Sequence, residues 1–171
     1  MNKKIIVAVC LAVLPDSLLA ADIQLSAHDF AERIEKKGAE KVIAAIPPVN
    51  GAEYDYIMRQ IASGDRDWLA LVPSVATTGA EGWNESLGTA LAQAIPHNAD
   101  GVMSVIDDYN IAISTSVVCS MPLYRETIPE QNSYFVKAVQ SLYKSKSAQA
   151  QKCLQYLVTT VGQSGPFRQG N

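Results

Sequence analysis

Three cysteines, two histidines and two close pairs of aspartates are the residues of this chain that could do chemistry. Asp65 with Asp67 and Asp107 with Asp108 could supply the paired carboxylates of a hydrolase that cleaves a wall polysaccharide. Two of the four flank expected helix ends, where Asp is favoured for capping alone. His28 lies near an expected helix start and His97 in a turn, and neither has a partner at metal-ligand spacing, so neither a metal nor a cofactor is expected. No GxSxG, HExxH, GxxxxGK[ST] or GxGxxG occurs, and Gly162-Gln-Ser-Gly165 lacks the spacing of a nucleophile elbow. A catalytic Cys119 needs a free thiol and a nearby base. The chain therefore reads as a non-enzyme, with an envelope hydrolase using paired carboxylates as the alternative.

Whether that thiol is free depends on the first twenty residues. Lys3 and Lys4 precede an unbroken apolar run from Ile5 to Leu14, Pro15 ends the run, and Leu18-Leu19-Ala20-Ala21 follows. This is the layout of a signal peptide over residues 1–20, cut after Ala20 or Ala21. The run is too short to span a bilayer, which takes about 20 apolar residues. Cys10 follows Val9 rather than a small residue, which argues against a lipoprotein signal. The expected address is the periplasm or beyond, with no membrane insertion after cleavage. Removing the signal takes Cys10 with it and leaves Cys119 and Cys153 in an oxidising compartment, where a disulfide persists. Their bond is the expectation, and closing that loop is worth roughly 4 kcal/mol on the chain-entropy account.

The remaining 21–171 suit one domain with a sizeable core. The chain is 48% hydrophobic and 18% charged, which argues against disorder. Of 14 Lys and Arg and 17 Asp and Glu, the signal holds Lys3, Lys4 and Asp16, leaving 12 basic and 16 acidic residues. An acidic balance disfavours a nucleic-acid partner. Lys36, Lys37 and Lys41 cluster, but Glu32, Glu35 and Glu40 interleave with them at helical spacing, as on a solvated helix face.

Apolar positions recur at helical spacing throughout. Ser26 and Asp29 stand in capping-box register before Phe30 and Ile34, Gly38 interrupts, and Val42, Ile43 and Ile46 resume until Pro47-Pro48. Tyr54, Ile57, Met58 and Ile61 mark a helix from Gly51 to Gly64. Asp65 then caps one that buries Trp68, Leu69, Val72 and Val75. Leu87 to Ile95 form another, and a turn at His97 to Asp100 leads to Val102, Met103, Val105 and Ile106. Two late helices carry Phe135, Val136, Val139 and Leu142, then Cys153, Leu154, Leu157 and Val161, with Pro129 in the first turn of the former. Tyr109 to Cys119 favours extended structure by propensity. With no second strong strand to pair with it, a buried helix or irregular segment is expected. The fold class is all-α, a single domain of short antiparallel helices with a flexible tail from about residue 162.

Ile61-Ala-Ser-Gly-Asp65 before Trp68-Leu69 aligns with Ile95-Pro-His-Asn before Val102-Met103 at an offset of 34 residues. Such a period suits stacked helical hairpins. Two ordinary helix-turn-helix connections that share turn residues account for it equally well.

These segments, with Leu87 to Ala94, Val117-Val118-Cys119 and Lys152-Cys153-Leu154, resemble an uncharacterised family of small secreted proteins of Gram-negative bacteria. The resemblance implies a helical-repeat fold and the cysteine pairing, and assigns no reaction. In general character the chain is also similar to immunity proteins that neutralise toxins in the periplasm. The leading reading is an exported protein-binding module, an immunity or inhibitor protein, with a structural envelope role as a further alternative. Candidate contacts are the acidic and aromatic residues in or beside the turns: Tyr54, Tyr56, Asp65, Asp67, Asp107, Asp108 and Tyr109. The partner is expected to be a protein, and the sequence leaves its identity and the oligomeric state open.

Overall fold

The computed structural model describes residues 23–47, 51–76 and 81–164. The expected signal peptide and most of the expected tail lie outside them, although the last helix runs to Ser164, past the expected boundary at 162. The helices are α1 (Ala27–Lys37), α2 (Ala39–Ala45), α3 (Ala52–Ala62), α4 (Arg66–Val75), α5 (Glu81–Met103), α6 (Thr115–Val118), α7 (Ile128–Lys144) and α8 (Ala148–Ser164). A single 3-10 turn covers Ile111–Ile113, and the described residues contain no strand. The domain is all-α.

Each boundary has a local cause. Ser26 Oγ accepts the Asp29 N–H at 3.0 Å to start α1, and Gly38, at φ 83°, breaks the chain between α1 and α2. Asp65 Oδ1 accepts the N–H groups of Asp67 and Trp68 to start α4. Thr127 and Glu130 form a capping box at the head of α7, where Pro129 occupies the first turn as expected. α5 is two helices joined at a kink, and the expected turn over His97 to Asp100 narrows to one residue. Only Asn98 leaves helical geometry, at φ −152° and ψ 70°. Its Oδ1 accepts the Gly101 N–H at 2.9 Å and so caps the second half of the helix.

One apolar core joins these elements. Phe30, Ile57, Leu69, Val72, Leu87, Leu91, Ile95, Leu142 and Leu157 are almost wholly buried in it. Trp68 packs against Phe30 and Tyr56 with ring centroids 5.7 and 6.1 Å apart. α5 lies between α3 and α7, and α8 folds back beside α7. Cys119 and Cys153 are disulfide-bonded, which ties α6's end to α8. The segment from Tyr109 to Cys119 is a 3-10 turn and one turn of helix, with Ile113 and Val118 buried.

Candidate functional site

The candidate residues fall into three places. The first is the cleft between α3, the first half of α5 and the chain from Pro122 to Glu126. It measures about 450 Å³ and is lined by Tyr54, Met58, Arg59, Glu85, Gln93 and Tyr124 among others. Tyr54 is 6% exposed and belongs to the core, its ring edge-on to Trp83 at 5.5 Å and its hydroxyl donating to Gly82 O at 2.9 Å. Burial pushes its phenol up from the ordinary value. Tyr124 donates to the Glu85 carboxylate across the mouth. Tyr56 faces Trp68 instead, because residues two apart on a helix point to different sides.

The second place is the start of α4. Asp65 is occupied as its N-cap, and Asp67 lies exposed in the first turn, where the helix dipole favours an anion.

The third is the loop from Asp107 to Ser114, and it brings Asp107, Asp108 and Tyr109 together. Asp107 Oδ1 accepts the Tyr109 N–H at 2.9 Å, and the Asp107 N–H donates to Ile113 O at 3.2 Å. Asn110 accepts the Ala112 N–H at 3.2 Å and donates its Nδ2 to Ala76 O at 3.3 Å, fastening the loop to the end of α4. Asp108 is the other anchor. Its Oδ1 accepts the Thr115 N–H at 2.8 Å, and its Oδ2 is paired with Lys152 of α8. The Lys152 ammonium and the Thr115 donor hold its carboxyl at about 2. Asp108 is therefore an anion at neutral pH, unsuited to donating a proton as a general acid.

From this frame two side chains project into solvent. Tyr109 is 103% exposed and Ile111 is 79% exposed. Expectation placed Ile111 in a buried segment, but the 3-10 turn has three residues per turn, so only Ala112 and Ile113 of its three face the core. Asn110 also escaped the sequence reading. The run Asp107-Asp-Tyr-Asn110 consists of turn-forming residues and was the available signal. In the cleft, Glu85 and Tyr124 meet from positions 39 apart, which no local pattern announces.

Among the described residues no three of His, Cys, Asp and Glu are grouped to hold a metal ion, and no helix is long and apolar enough to cross a membrane. Comparison with protein-family models, curated proteins and solved structures found no match.

Proposed function

We propose that this chain is an exported protein-binding module, acting in the periplasm as an inhibitor or immunity protein that presses the Asp107 to Ile111 loop into a cleft of its target. The observation that carries this reading is a fully exposed Tyr109 on a loop whose backbone is fastened on three sides. An aromatic side chain on a frame already held in place loses little conformational freedom on docking, which is what makes it an effective anchor. Ile111 adds apolar area beside it, and the carboxylate of Asp107 suits a target with a basic rim. The Cys119 to Cys153 bond is consistent with export.

The hairpin-stack architecture belongs to the same proposal. Contacts across 34 residues recur along the chain, from Asn98 to Gly64, Asn110 to Ala76, Gln149 to Thr115 and Cys153 to Cys119. A stack of hairpins of this period puts its turns along its edges, where a loop can be displayed.

The test is quantitative affinity capture from envelope extracts with the wild type and with Tyr109→Ala/Ile111→Ser. A stoichiometric protein retained by the wild type and lost with the variant supports the reading, provided the variant unfolds at the wild-type urea concentration. Capture that ignores the substitution, or hydrolysis of wall fragments by the purified protein, overturns it.

A further inference from the structure

The cleft beside Tyr54 plays no part in the displayed loop. α3 and the first half of α5 run in the same direction alongside it, with Tyr54 reaching Gly82 at their heads and Asn98 reaching Gly64 at their tails. Asp55, Met58, Arg59 and Ala62 line it from α3, and Ser86, Thr89, Ala90 and Gln93 from α5. Each set repeats the spacing i, i+3, i+4, i+7, which puts its members on one face of a helix. The volume of about 450 Å³ lies within the range of about 300–1,000 Å³ usual for small-ligand sites.

The third wall is the chain from Pro122 to Glu126, and it is fixed in place. Leu123 is buried, Gln131 donates its Nε2 to Leu123 O at 3.0 Å and to Glu126 O at 2.9 Å, and Tyr124 donates to Glu85 across the mouth. Met121, just before this stretch, stands at φ 56°, a left-handed backbone that a residue with a side chain adopts when its surroundings impose it. The cleft is therefore formed before any ligand arrives, and binding costs little reordering.

Asp55, Arg59 and Gln93 make no side-chain hydrogen bond or ion pair among the described residues. They offer the cleft a carboxylate that only accepts, a guanidinium that only donates and an amide that does both. We infer that this cleft holds a neutral saccharide of one or two rings. A ligand carboxylate drawn to Arg59 would meet Asp55 one helical turn away, and a ligand ammonium drawn to Asp55 would meet Arg59, so neither net charge is favoured. A hydroxyl escapes both penalties, because it accepts from the guanidinium or the amide and donates to the carboxylate. The C–H face of a sugar ring covers the half-buried Met58 and Ala62, while its hydroxyl rim meets the polar groups. The site shares no residue with the Tyr109 loop, and neither reading needs the other.

The experiment records amide chemical shifts of the purified protein, with Cys119 and Cys153 oxidised, during titration with glucose, N-acetylglucosamine and their β-1,4-linked dimers. Glucuronate, glucosamine and alanyl-alanine serve as the anionic, cationic and zwitterionic contrasts. At least one of the neutral sugars is expected to shift the amides of Arg59, Ala62, Ala90, Gln93 and Leu123 in a saturable way. Gln93→Ala and Arg59→Ala should each weaken that binding about fivefold or more, the loss of one or two hydrogen bonds, at an unchanged urea midpoint. Tyr109→Ala should leave it unchanged. The inference is overturned if none of the four neutral sugars shifts these amides, if a charged contrast shifts them at lower concentration, or if both cleft variants bind as the wild type does.

Discussion

Asn98 and Asn110 stand at opposite ends of α4 and make the same reach, each donating its side-chain amide to a carbonyl 34 residues back. At the first end the result is a closed turn. Asn98 Nδ2 lies 2.9 Å from Gly64 O, Asp65 caps α4, and Trp68 and Ala99 are buried behind them. At the second end Asn110 fastens the start of a loop whose next apolar residue, Ile111, and preceding aromatic, Tyr109, point away from the protein. One hydrogen-bonding device thus serves two purposes. Where apolar side chains follow it inwards it stabilises the fold, and where they turn outwards it stiffens a displayed surface without burying it. α4 is ten residues long, so the two ends are about 15 Å apart.

The largest effect that can separate the two ends comes from the disulfide, which holds the chain leaving the displayed loop against α8. Cys119→Ala/Cys153→Ala should lower the unfolding free energy by roughly 3–4 kcal/mol, read by urea denaturation. Hydrogen exchange then distinguishes the ends under native conditions. Amides of Ile113 to Cys119 should lose protection by more than those of Asp67 to Leu69. Equal loss at both would mean that the two ends unfold as one unit, and the contrast drawn between them would fail.

Next in size is Gly64→Ala. Gly64 has φ 77°, which a side chain tolerates poorly, and an added Cβ would stand 3.0 Å from Asn98 Cβ and 3.1 Å from His97 Cβ. The expected cost is about 1–3 kcal/mol, with the Gly101 N–H losing protection as Asn98 is displaced. Asn110→Ala should cost about 1 kcal/mol, since the hydrogen bonds it removes, at 3.3 and 3.2 Å, are longer than those of Asn98 and no left-handed backbone is strained. If Asn110→Ala proves the more damaging, the closed turn is not the firmer end.

The sequence read the closed end better than the displayed one, for a physical reason. Gly64, Asp65 and the apolar positions of α3 and α4 each act within a turn or two, and capping and helical periodicity are local rules. Asp65 was legible as a cap and Tyr54 as a stripe residue from spacing alone. The kink at Asn98 was placed to within two residues, because Pro96 and the run after it signal a break without saying which residue leaves helical geometry. The direction of Ile111 was not legible, since it follows from a 3-10 turn held by Asp107, Asn110 and Ser114 together. Nor was the role of Asp108. Its partners, Thr115 and Lys152, are 7 and 44 residues away, and only the packed fold brings Lys152 near.

That distant anchor makes the smallest effect the most selective. With its folded value held at about 2 and its ordinary value at 3.8, Asp108 favours the folded state as an anion. The stabilisation is therefore fully present above about pH 4 and is lost as the pH falls through about 2. Asp108 and Lys152 are both about half exposed, so solvent screening limits the contribution to less than about 1 kcal/mol. The bond from Asn98 to Gly64, by contrast, joins an amide to a carbonyl and has no proton to gain over this range. Acid should accordingly loosen the Thr115 N–H, which Asp108 accepts, before the Gly101 N–H, which Asn98 accepts. Asp108→Asn keeps an acceptor for Thr115 but loses the charge, and should flatten the dependence of Thr115 protection between pH 4 and 2 while leaving that of Gly101 unchanged. If Gly101 loosens first, or Asp108→Asn leaves the Thr115 profile as it was, the loop is not held by this carboxylate, and Tyr109 is displayed by Asn110 and Asp107 alone.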